Sequence, residues 1–312
     1  MMKSLVTGCN GFVGTYLCNY LQKTGNEVFG IDLQDSPSDD SIVYRKLDIT
    51  EYDSLVKVLH SWQVDVIYHL AAIANPRIAQ QDPLQAIRIN TLGTANFAEY
   101  CRKHSGVSLL VVGSSEAYKM KDSEEIVFTE GDAIESRNIY GASKIAAEIL
   151  SKEYSHLFET PIFFSRSFNH TGPGQLPHYV LSNFAKQCAE ISRDKRRDAE
   201  IYVGNIDLYR DFLDVRDVVK AYEAIVTKGI PGEVYNVCSG TAYHIRGLLK
   251  FLISLTKVSD VQIVSDPLRI RRKEVLSISG NPEKLFQTTG WIPAYSIQDT
   301  LRDLFDYWLT NA

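Results

Sequence analysis

A tyrosine and a lysine four residues apart are the side chains in this sequence best suited to acid–base chemistry. Tyr140 and Lys144 occupy positions i and i+4 of a helical pattern and therefore share one face of that helix. An ammonium group close to a phenol favours the phenolate and lowers the phenol pKa. Such a tyrosine can donate its proton to a carbonyl oxygen, or remove that proton in the reverse direction. The same spacing is common in surface pairs, so the prediction of a catalytic pair needs a second signal.

The second signal is a glycine loop near the N-terminus, directly after one predicted strand and before a helix. Gly8 permits the tight turn, Gly11 lets the backbone approach a pyrophosphate, and Gly14 lets helix and strand pack closely. The helix N-terminus offers its unpaired N–H groups to the phosphates. The residues of this loop that we expect to bind a dinucleotide are Gly8, Asn10, Gly11, Phe12, Val13 and Gly14.

An acidic residue at the end of the second predicted strand indicates which dinucleotide binds. Asp32 is expected to accept hydrogen bonds from the adenosine ribose hydroxyls. A 2′-phosphate there would meet a like charge, at a cost of about 4 kcal/mol at 4 Å and an effective dielectric of 20. The sequence therefore predicts NAD as the cofactor, with NADP disfavoured. Further cofactor contacts are predicted at the ends of later strands, from Asp48, Ile49, Leu70, Ala71, Ala72 and Phe168.

The predicted fifth strand ends in two serines and a glutamate. A hydroxyl from Ser114 or Ser115 can donate a hydrogen bond to a substrate carbonyl and polarise it. A serine at this position can instead cap a helix or a turn. Glu116 follows the serines and adds a carboxylate to the same strand end.

Short β-branched runs that alternate with helical patterns must position these side chains. This alternation predicts an α/β fold, a doubly wound parallel sheet of the Rossmann type. The predicted strands are Lys3–Thr7, Glu27–Asp32, Val43–Leu47, Val66–Leu70, Leu109–Val112, Ile162–Phe168 and Glu233–Val237. The predicted helices are Thr15–Lys23, Ser54–His60, Gln85–His104, Tyr140–Leu157 and Asp217–Val226.

The regular alternation weakens after Asn169, where Thr171-Gly172-Pro173-Gly174 breaks it. We therefore predict two interleaved domains. Residues 1–168, with 212–238 returning to the main sheet, form the NAD-binding domain. Residues 169–211 and 239–312 form a smaller substrate domain.

Composition excludes several classes of protein. A formal net charge of −5 gives no reason to expect nucleic acid as a partner. No apolar run reaches the ~18 residues of a membrane span, and the N-terminus does not read as a signal peptide. The 5 cysteines lack C-x-x-C spacing, and the histidines show no metal-binding spacing, so we expect a cytoplasmic protein without disulfides or a metal.

Together these motifs resemble those of the extended short-chain dehydrogenase/reductase family, over nearly the whole chain. The segments that carry the resemblance are Thr7–Gly14, His69–Ala72, Asn90–Thr94 and Tyr140–Lys144. The resemblance implies that the catalytic serine is the one four residues before Tyr118, which is Ser114. It further implies that Lys144 holds both the phenol and the nicotinamide ribose.

The second half resembles the GDP-4-keto-6-deoxy-D-mannose reductases of that family. The segments concerned are Arg166–Gln175, Phe184–Gln187, Val203–Asn205, Arg210–Phe212, Tyr235–Gly240 and Arg269–Val275, the last with Arg272 where proline is expected. A sugar diphosphate needs cations, and Lys186, Arg210 and Arg271 supply them unless they are solvated surface side chains. The substrate contacts that the resemblance implies are Ser114, Ser115, Glu116, Asn169, Lys186, Val203, Asn205, Arg210, Arg271 and Glu274.

The implied reaction is hydride transfer from NADH to C4 of a GDP-linked 4-keto-6-deoxy sugar, giving GDP-rhamnose or GDP-6-deoxytalose. Glu116 matches a base of the related 4,6-dehydratases, but the reductases carry a glutamate there too. A 4,6-dehydratase or 4-epimerase with tightly bound NAD therefore stays open as an alternative, although the shorter chain favours the reductase. A non-catalytic NAD sensor is disfavoured because Ser114, Tyr140 and Lys144 are all present. Family analogy implies a homodimer that packs helices near Thr91–His104 and Tyr140–Leu157.

Overall fold

A seven-stranded parallel sheet forms the centre of the molecule in a computed structural model that describes residues 1–194, 198–269 and 274–311. Its strand order is β11-β7-β5-β4-β1-β2-β3. These strands are β1 (Lys3–Thr7), β2 (Glu27–Asp32), β3 (Val43–Lys46), β4 (Val66–His69), β5 (Ser108–Ser114), β7 (Ile162–Ser167) and β11 (Val234–Val237). The predicted doubly wound α/β fold is confirmed, and each predicted strand differs from the observed one by at most two residues at either end.

Helices cover both faces of this sheet because successive strand residues point to opposite sides. Leu5 packs in the core under α2 and α5, whereas Val6 packs in the core under α1 and α8. The helices connected to the sheet are α1 (Phe12–Lys23), α2 (Tyr52–Trp62), α3 (Pro76–Gln81), α4 (Pro83–Ile87), α5 (Thr94–Lys103), α6 (Ile139–Phe158), α8 (Val215–Lys228) and α10 (Glu283–Thr289). Two apolar cores therefore hold the sheet rigid beneath the ends of its strands.

The helix predicted over Gln85–His104 is not continuous. A π-helical turn, Arg88–Gly93, separates α4 from α5. Within that turn the Asn90 side chain accepts a hydrogen bond from the Ile73 N–H at 2.8 Å and donates to the Ile73 carbonyl at 3.1 Å. It also donates to Ser143 Oγ of α6 at 2.9 Å. The wider turn thus carries a buried amide that joins the segment after β4 to the helix containing Tyr140 and Lys144.

A second group of elements packs around its own apolar core at the carboxyl end of the sheet. Its helices are α7 (Val180–Asp194), α9 (Ile245–Thr256) and α11 (Ile297–Asn311). Its strands are β6 (Glu125–Phe128), β8 (Asn169–Thr171), β9 (Glu200–Val203), β10 (Tyr209–Asp214), β12 (Ala242–His244), β13 (Gln262–Ser265) and β14 (Ser277–Gly280). β10 pairs with β8, β12 and β14, and β14 pairs in turn with β6.

The division into residues 1–168 with 212–238, and 169–211 with 239–312, stays a prediction. All seven strands of the large sheet fall in the first set. β6 also comes from that set, yet it pairs with β14 of the other. Strand pairing thus crosses the proposed boundary. Among the described residues no helix is long and apolar enough to span a bilayer.

Candidate active site

A cleft of about 660 Å³ opens at the carboxyl ends of β1, β2, β4 and β5. This is the edge of a doubly wound sheet at which ligands bind, because the loops that follow the strands diverge there. The glycine loop lines one end, and the β5 terminus and the first turn of α6 line the other. The cleft therefore joins the predicted dinucleotide site to the predicted Tyr–Lys pair.

The glycine loop is packed so closely against itself and the following helix that side chains are excluded at Gly8 and Gly14. Gly8 has φ +68°, and a Cβ at Gly14 would lie 2.1 Å from the Gly8 carbonyl oxygen. No side chain caps the N-terminus of α1, where Gly11 is the N-cap residue. The first-turn amides of α1 consequently face the cleft with their N–H groups available, the arrangement that binds phosphate.

Asp32 ends β2, as the sequence predicted, and lines the cleft beside the glycine loop. Its carboxylate accepts hydrogen bonds from the Leu33 N–H at 2.7 Å and from the Asn10 N–H at 3.1 Å. The Asn10 side chain points elsewhere: it donates to the Ser36 carbonyl at 2.9 Å and accepts from the Ser38 N–H at 2.7 Å. Asn10 therefore holds the loop after β2 rather than lining the cleft.

A hydrogen-bonded chain beneath the cleft fixes the backbone after β4. The Ala71 N–H donates to Thr7 Oγ1 at 3.0 Å, and Thr7 Oγ1 lies 2.8 Å from His69 Nδ1. His69 Nε2 lies 3.0 Å from Thr94 Oγ1, whose hydroxyl donates to the Asn90 carbonyl at 2.7 Å. Burial, followed by the charge of Lys144, lowers the pKa of His69 to about 3. His69 is therefore a neutral histidine that donates through Nε2 and orients the strand end.

The Tyr–Lys pair is buried at the far end of the cleft. Lys144 Nζ donates to the Val112 carbonyl of β5 at 2.9 Å. Burial lowers the pKa of Lys144 to about 8. Burial also raises the pKa of Tyr140 to about 12, opposed by a hydrogen bond with Ser114 and reinforced by the charges of Glu116 and Tyr179. The expected lowering of the phenol pKa is thus wrong for the protein alone, because desolvation outweighs any effect of Lys144.

This raised pKa gives Tyr140 a defined protonation state. At neutral pH the phenol keeps its proton, which is the form that a general acid needs. The Ser114 hydroxyl is hydrogen-bonded to the Tyr140 side chain, and Ser114 Oγ also accepts from the Glu116 N–H at 3.2 Å. Glu116 Oε2 accepts from Asn138 Nδ2 at 3.0 Å, and Asn138 caps α6 by accepting from the Gly141 N–H at 2.8 Å. One end of the cleft therefore holds a phenol, a hydroxyl and a carboxylate.

The cleft brings together most of the predicted cofactor and catalytic residues. Those that line it are Gly8, Gly11, Phe12, Val13, Gly14, Asp32, Asp48, Ile49, Leu70, Ala71, Ala72, Ser114, Ser115, Glu116, Tyr140, Lys144, Phe168 and Asn169. Within this set Asp48 turns its carboxylate to Thr50, accepting from the N–H at 2.9 Å and the hydroxyl at 2.8 Å. Asn169 donates to the Asp211 carbonyl at 3.0 Å.

The other predicted substrate contacts that fall among the described residues do not line this cleft. Lys186 lies 3.7 Å from Glu190 and above the Trp308 ring. Asn205 donates to Glu274 Oε2 at 3.1 Å, and Val203 is buried in β9. Arg210 donates to the carbonyls of Tyr209 at 2.7 Å and Leu276 at 3.2 Å, and Arg271 lies outside the described residues. The structure thus brings Asn205 and Glu274 together, and places Lys186 elsewhere.

Several lining residues were missed by the sequence analysis. His170 stacks on Phe12 with ring centroids 6.3 Å apart, and Tyr179 stands just before α7 with its ring against His178. Gln175 also lines the cleft and is bonded to Thr171. His170 and Gln175 lie in the segment Arg166–Gln175 that resembles the reductases, but that resemblance gave them no role, and the irregular loop containing Tyr179 has no periodic pattern to interpret. Among the described residues no cluster of His, Cys, Asp or Glu could hold a metal ion.

The chain matches the family model described as GDP-mannose 4,6 dehydratase over residues 5–304. It belongs to that family. A GDP-6-deoxy-D-mannose reductase from Pseudomonas aeruginosa is 34% identical over 305 residues, which covers 97% of this chain and 96% of the relative. A GDP-6-deoxy-D-talose 4-dehydrogenase from Aggregatibacter actinomycetemcomitans is 27% identical over 290 residues, or 93% of this chain and 92% of that one.

A solved structure supports the same assignment. The structure of RMD from Pseudomonas aeruginosa complexed with NADPH superposes with a TM-score of 0.88 at 31% sequence identity, covering 100% of both chains. The two chains therefore share this architecture from end to end. The resemblance to nucleotide-sugar enzymes of the extended short-chain dehydrogenase/reductase type is confirmed.

Proposed function

We propose that this protein is a nucleotide-sugar oxidoreductase that reduces the C4 ketone of GDP-4-keto-6-deoxy-D-mannose to GDP-rhamnose or GDP-6-deoxytalose. The observation that carries the proposal is the convergence of Ser114, Tyr140 and Lys144 at one end of a cleft whose other end is the glycine loop. The named relatives that act on GDP-6-deoxy sugars agree with it.

The side chains divide the work of a ketone reduction. A bound nicotinamide supplies the hydride to the ketone carbon. Ser114 donates a hydrogen bond that orients and polarises the ketone oxygen. Tyr140 is protonated and donates its proton to that oxygen, so hydride and proton together complete the alcohol. Lys144 would hold the nicotinamide ribose, and its positive charge would stabilise the phenolate that remains after the proton is donated.

The cofactor is NADH or NADPH, and Asp32 favours NADH. Both carboxylate oxygens of Asp32 already accept from backbone amides, which fixes the carboxylate at the end of β2, where we expect the adenosine ribose to bind. A 2′-phosphate would be repelled there unless a cation compensates. The complex of the Pseudomonas aeruginosa RMD contains NADPH. The ratio of kcat/KM for the two cofactors measures how far the repulsion governs the choice.

A 4,6-dehydratase is the second candidate, because the cleft contains a carboxylate. Glu116 lines the same end as Tyr140, and its carboxylate accepts a hydrogen bond from Asn138 Nδ2. A carboxylate so placed can remove a proton from a sugar carbon next to a ketone. This candidate, like a 4-epimerase, returns the hydride to the substrate and consumes no cofactor overall.

The deciding experiment follows NADH and NADPH absorbance with GDP-4-keto-6-deoxymannose produced in place by a separate dehydratase. Tyr140→Phe serves as the inactive control. Substrate-dependent oxidation of the cofactor that this variant lacks supports the reductase, and analysis of the product then distinguishes GDP-rhamnose from GDP-6-deoxytalose. Conversion of GDP-mannose itself to the keto sugar, with no cofactor oxidised, would instead establish the dehydratase.

We also propose a homodimer that pairs α5 and α6 with their copies in a four-helix bundle. Apolar side chains are exposed along α6 and in the turn before α5: Leu92, Ile149, Leu150, Leu157 and Phe158. Exposed patches of this kind favour association over solvation. The mass from light scattering should fall from dimer to monomer in Leu157→Glu, and should stay dimeric in Leu268→Glu, which alters an exposed leucine far along the chain.

The proposed compartment is the cytoplasm. All 5 cysteines are free and buried, which suits a reducing environment. Fractionation of cells that express the protein should recover it with the cytosolic markers.

A further inference from the structure

A buried ion pair lies one helical turn beyond the catalytic lysine. Glu148 follows Lys144 by four residues on the same face of α6, and Arg166 of β7 meets it through two hydrogen bonds of 3.0 and 2.6 Å. Each side chain is 3% exposed. Burial raises the pKa of Glu148, but the hydrogen bond and charge of Arg166 outweigh it and the pKa lies below its usual range. The pair is therefore ionised at neutral pH.

Arg166 also reaches the segment that carries the catalytic serine. Its guanidinium lies 4.7 Å from the centre of the Tyr118 ring, and Tyr118 follows Ser114 by four residues. In the sheet register Arg166 stands opposite Gly113, the residue before Ser114. Arg166 thus contacts both α6, which carries Tyr140, and the segment after β5, which carries Ser114. The relative placement of these two elements brings Ser114 to Tyr140.

The Tyr118 side of this contact is itself fixed. The Tyr118 hydroxyl donates to Asn236 Oδ1 at 2.6 Å, and its ring stacks on Phe128 at 4.6 Å and 7°. Arg166 Nη1 donates to the Glu130 carbonyl at 3.2 Å, and Glu130 Oε1 accepts from the Asn236 N–H at 2.8 Å. The guanidinium therefore has a partner on every side and cannot shift without breaking one of these contacts.

We propose that Arg166 is a positioning residue that sets the distance between the Ser114 segment and the Tyr140–Lys144 face of α6. It touches neither the reacting atoms nor the cleft. Its effect on rate is indirect, through the geometry of residues that must meet within a few tenths of an ångström for proton transfer. This inference rests on the proposed reduction for its kinetic readout, but not for its structural one.

The chain offers a matched control. Arg216 makes the same kind of contacts, with two hydrogen bonds of 2.8 and 2.7 Å to Asp214 and its guanidinium 3.7 Å from the centre of the Tyr295 ring. Neither partner lines the cleft. Arg216→Met removes these contacts and the ion pair with Asp303 at 2.7 Å, and it leaves the buried Asp214 carboxylate without its arginine. It therefore shows what the loss of a partly buried arginine does to the protein when the arginine lies away from the cleft.

The experiment compares Arg166→Lys, the double variant Glu148→Met/Arg166→Met, and Arg216→Met. Lysine keeps the charge but cannot bridge Glu148 with two nitrogens while lying flat on Tyr118. The double variant removes both charges and leaves no buried ion unpaired, because Lys152, the other partner of Glu148 at 2.9 Å, is 36% exposed and can be solvated; the variant is therefore expected to fold. For each variant we measure kcat and KM per folded molecule, cofactor affinity, and hydrogen exchange of residues 114–118 in the cofactor-free protein.

Expected results are a fall in kcat of about 100-fold in the double variant and about tenfold in Arg166→Lys, with cofactor affinity within about twofold. Exchange at residues 114–118 should accelerate about tenfold in both variants and stay unchanged in Arg216→Met. Wild-type kcat and exchange in both Arg166 variants would overturn the proposal, as would an equal loss of kcat in Arg216→Met. If the wild type does not reduce the keto sugar but exchange responds as expected, the proposed function fails and the positioning role stands.

Discussion

The cofactor end of the cleft and the predicted nucleotide-sugar contacts differ in the kind of residue that forms them and in how those residues are positioned. At the cofactor end, backbone positions and short side chains at the ends of adjacent parallel strands line a single cleft, from Gly8 of the glycine loop to Ala72 after β4. The sugar-nucleotide contacts are long side chains on separate elements. Lys186 is on α7 and forms an ion pair with Glu190 of the same helix. Arg210 is on β10 and donates to the carbonyl of the adjacent Tyr209.

The difference shows which kind of site a sequence motif determines. A loop that follows a strand of a parallel sheet is placed by the sheet, so its motif fixes its location. A lysine or arginine has several rotatable bonds, and its head group can bond any acceptor within reach. Motif matches in the second half therefore identify the family, whereas they do not by themselves place a side chain in the cleft.

The largest expected effect concerns the proton donor. Tyr140→Phe should lower kcat for ketone reduction about 1,000-fold, within the range that general-acid catalysis contributes, with cofactor affinity unchanged. Stopped-flow absorbance at saturating cofactor measures it. Tyr154→Phe, on the same helix but away from the cleft, is the control. A residual rate within tenfold of wild type would mean that another group donates the proton.

The next effect tests the backbone of the cofactor end. Gly14→Ala places a Cβ where only 2.1 Å separates it from the Gly8 carbonyl, so the loop must deform. We expect cofactor affinity to fall about 100-fold and stability by about 1–3 kcal/mol from overpacking. Fluorescence titration and thermal unfolding measure the two. Gly131→Ala has no atom within 4 Å of its Cβ and should leave both unchanged. Unaltered affinity in Gly14→Ala would refute the close-packed loop.

The pH dependence follows from Lys144. Its pKa is lowered to about 8, so its charge is present below that pH and is lost as pH rises through it. The pKa of Tyr140, about 12, keeps the phenol protonated throughout this interval. We therefore expect kcat/KM for reduction to be level at lower pH and to fall about tenfold per unit above pH 8. The residual activity of Lys144→Arg should lack this fall, since arginine stays charged. A wild-type profile that is flat to pH 10 would contradict the assignment.

Cofactor choice should respond to one charge. Asp32→Asn is expected to raise the ratio of kcat/KM for NADPH to that for NADH about tenfold, since it removes the charge that repels a 2′-phosphate. Asp35→Asn removes the same charge nearby, from an exposed side chain paired with Lys46, and should change the ratio less than about twofold. An equal response in the two variants would assign the preference to overall charge rather than to Asp32.

The smallest expected effect is on KM for the keto sugar, and it tests the predicted sugar-nucleotide contacts outside the cleft. Lys186→Met should change KM for the keto sugar less than about twofold, because Lys186 bonds Glu190 and lies on Trp308. Asn205→Ala removes an amide bonded to Glu274 and should raise KM about tenfold if that pair contacts the sugar nucleotide. A larger increase of KM in Lys186→Met than in Asn205→Ala would show that the substrate reaches α7. It would then support the substrate contact that the segment Phe184–Gln187 predicted for Lys186.

The sequence predicted the parallel sheet, and it predicted residues of the glycine loop and of the strand ends that line one cleft, because strand periodicity and glycine spacing are local signals. It predicted one helix over Gln85–His104, where the buried amide of Asn90 selects a π-helical turn. It also predicted a lowered phenol pKa from spacing alone, whereas the burial that raises the pKa of Tyr140 depends on the packing of distant segments. The cleft residue Tyr179 lies in a loop without periodicity, and only tertiary structure brings it there.

The pairing of β6 with β14 has a consequence for exchanging parts between relatives. Residues 125–128 and 277–280 pair as parallel strands, although only the second range belongs to the predicted substrate domain, 169–211 with 239–312. That domain therefore cannot be excised or grafted as a whole without breaking this strand pair. A chimera that swaps only the C-terminal third would force an inherited β6 to pair with a foreign strand. Substrate preference in this architecture is therefore more readily transplanted loop by loop, at the segments that follow β8 and precede α7, than by recombining domains.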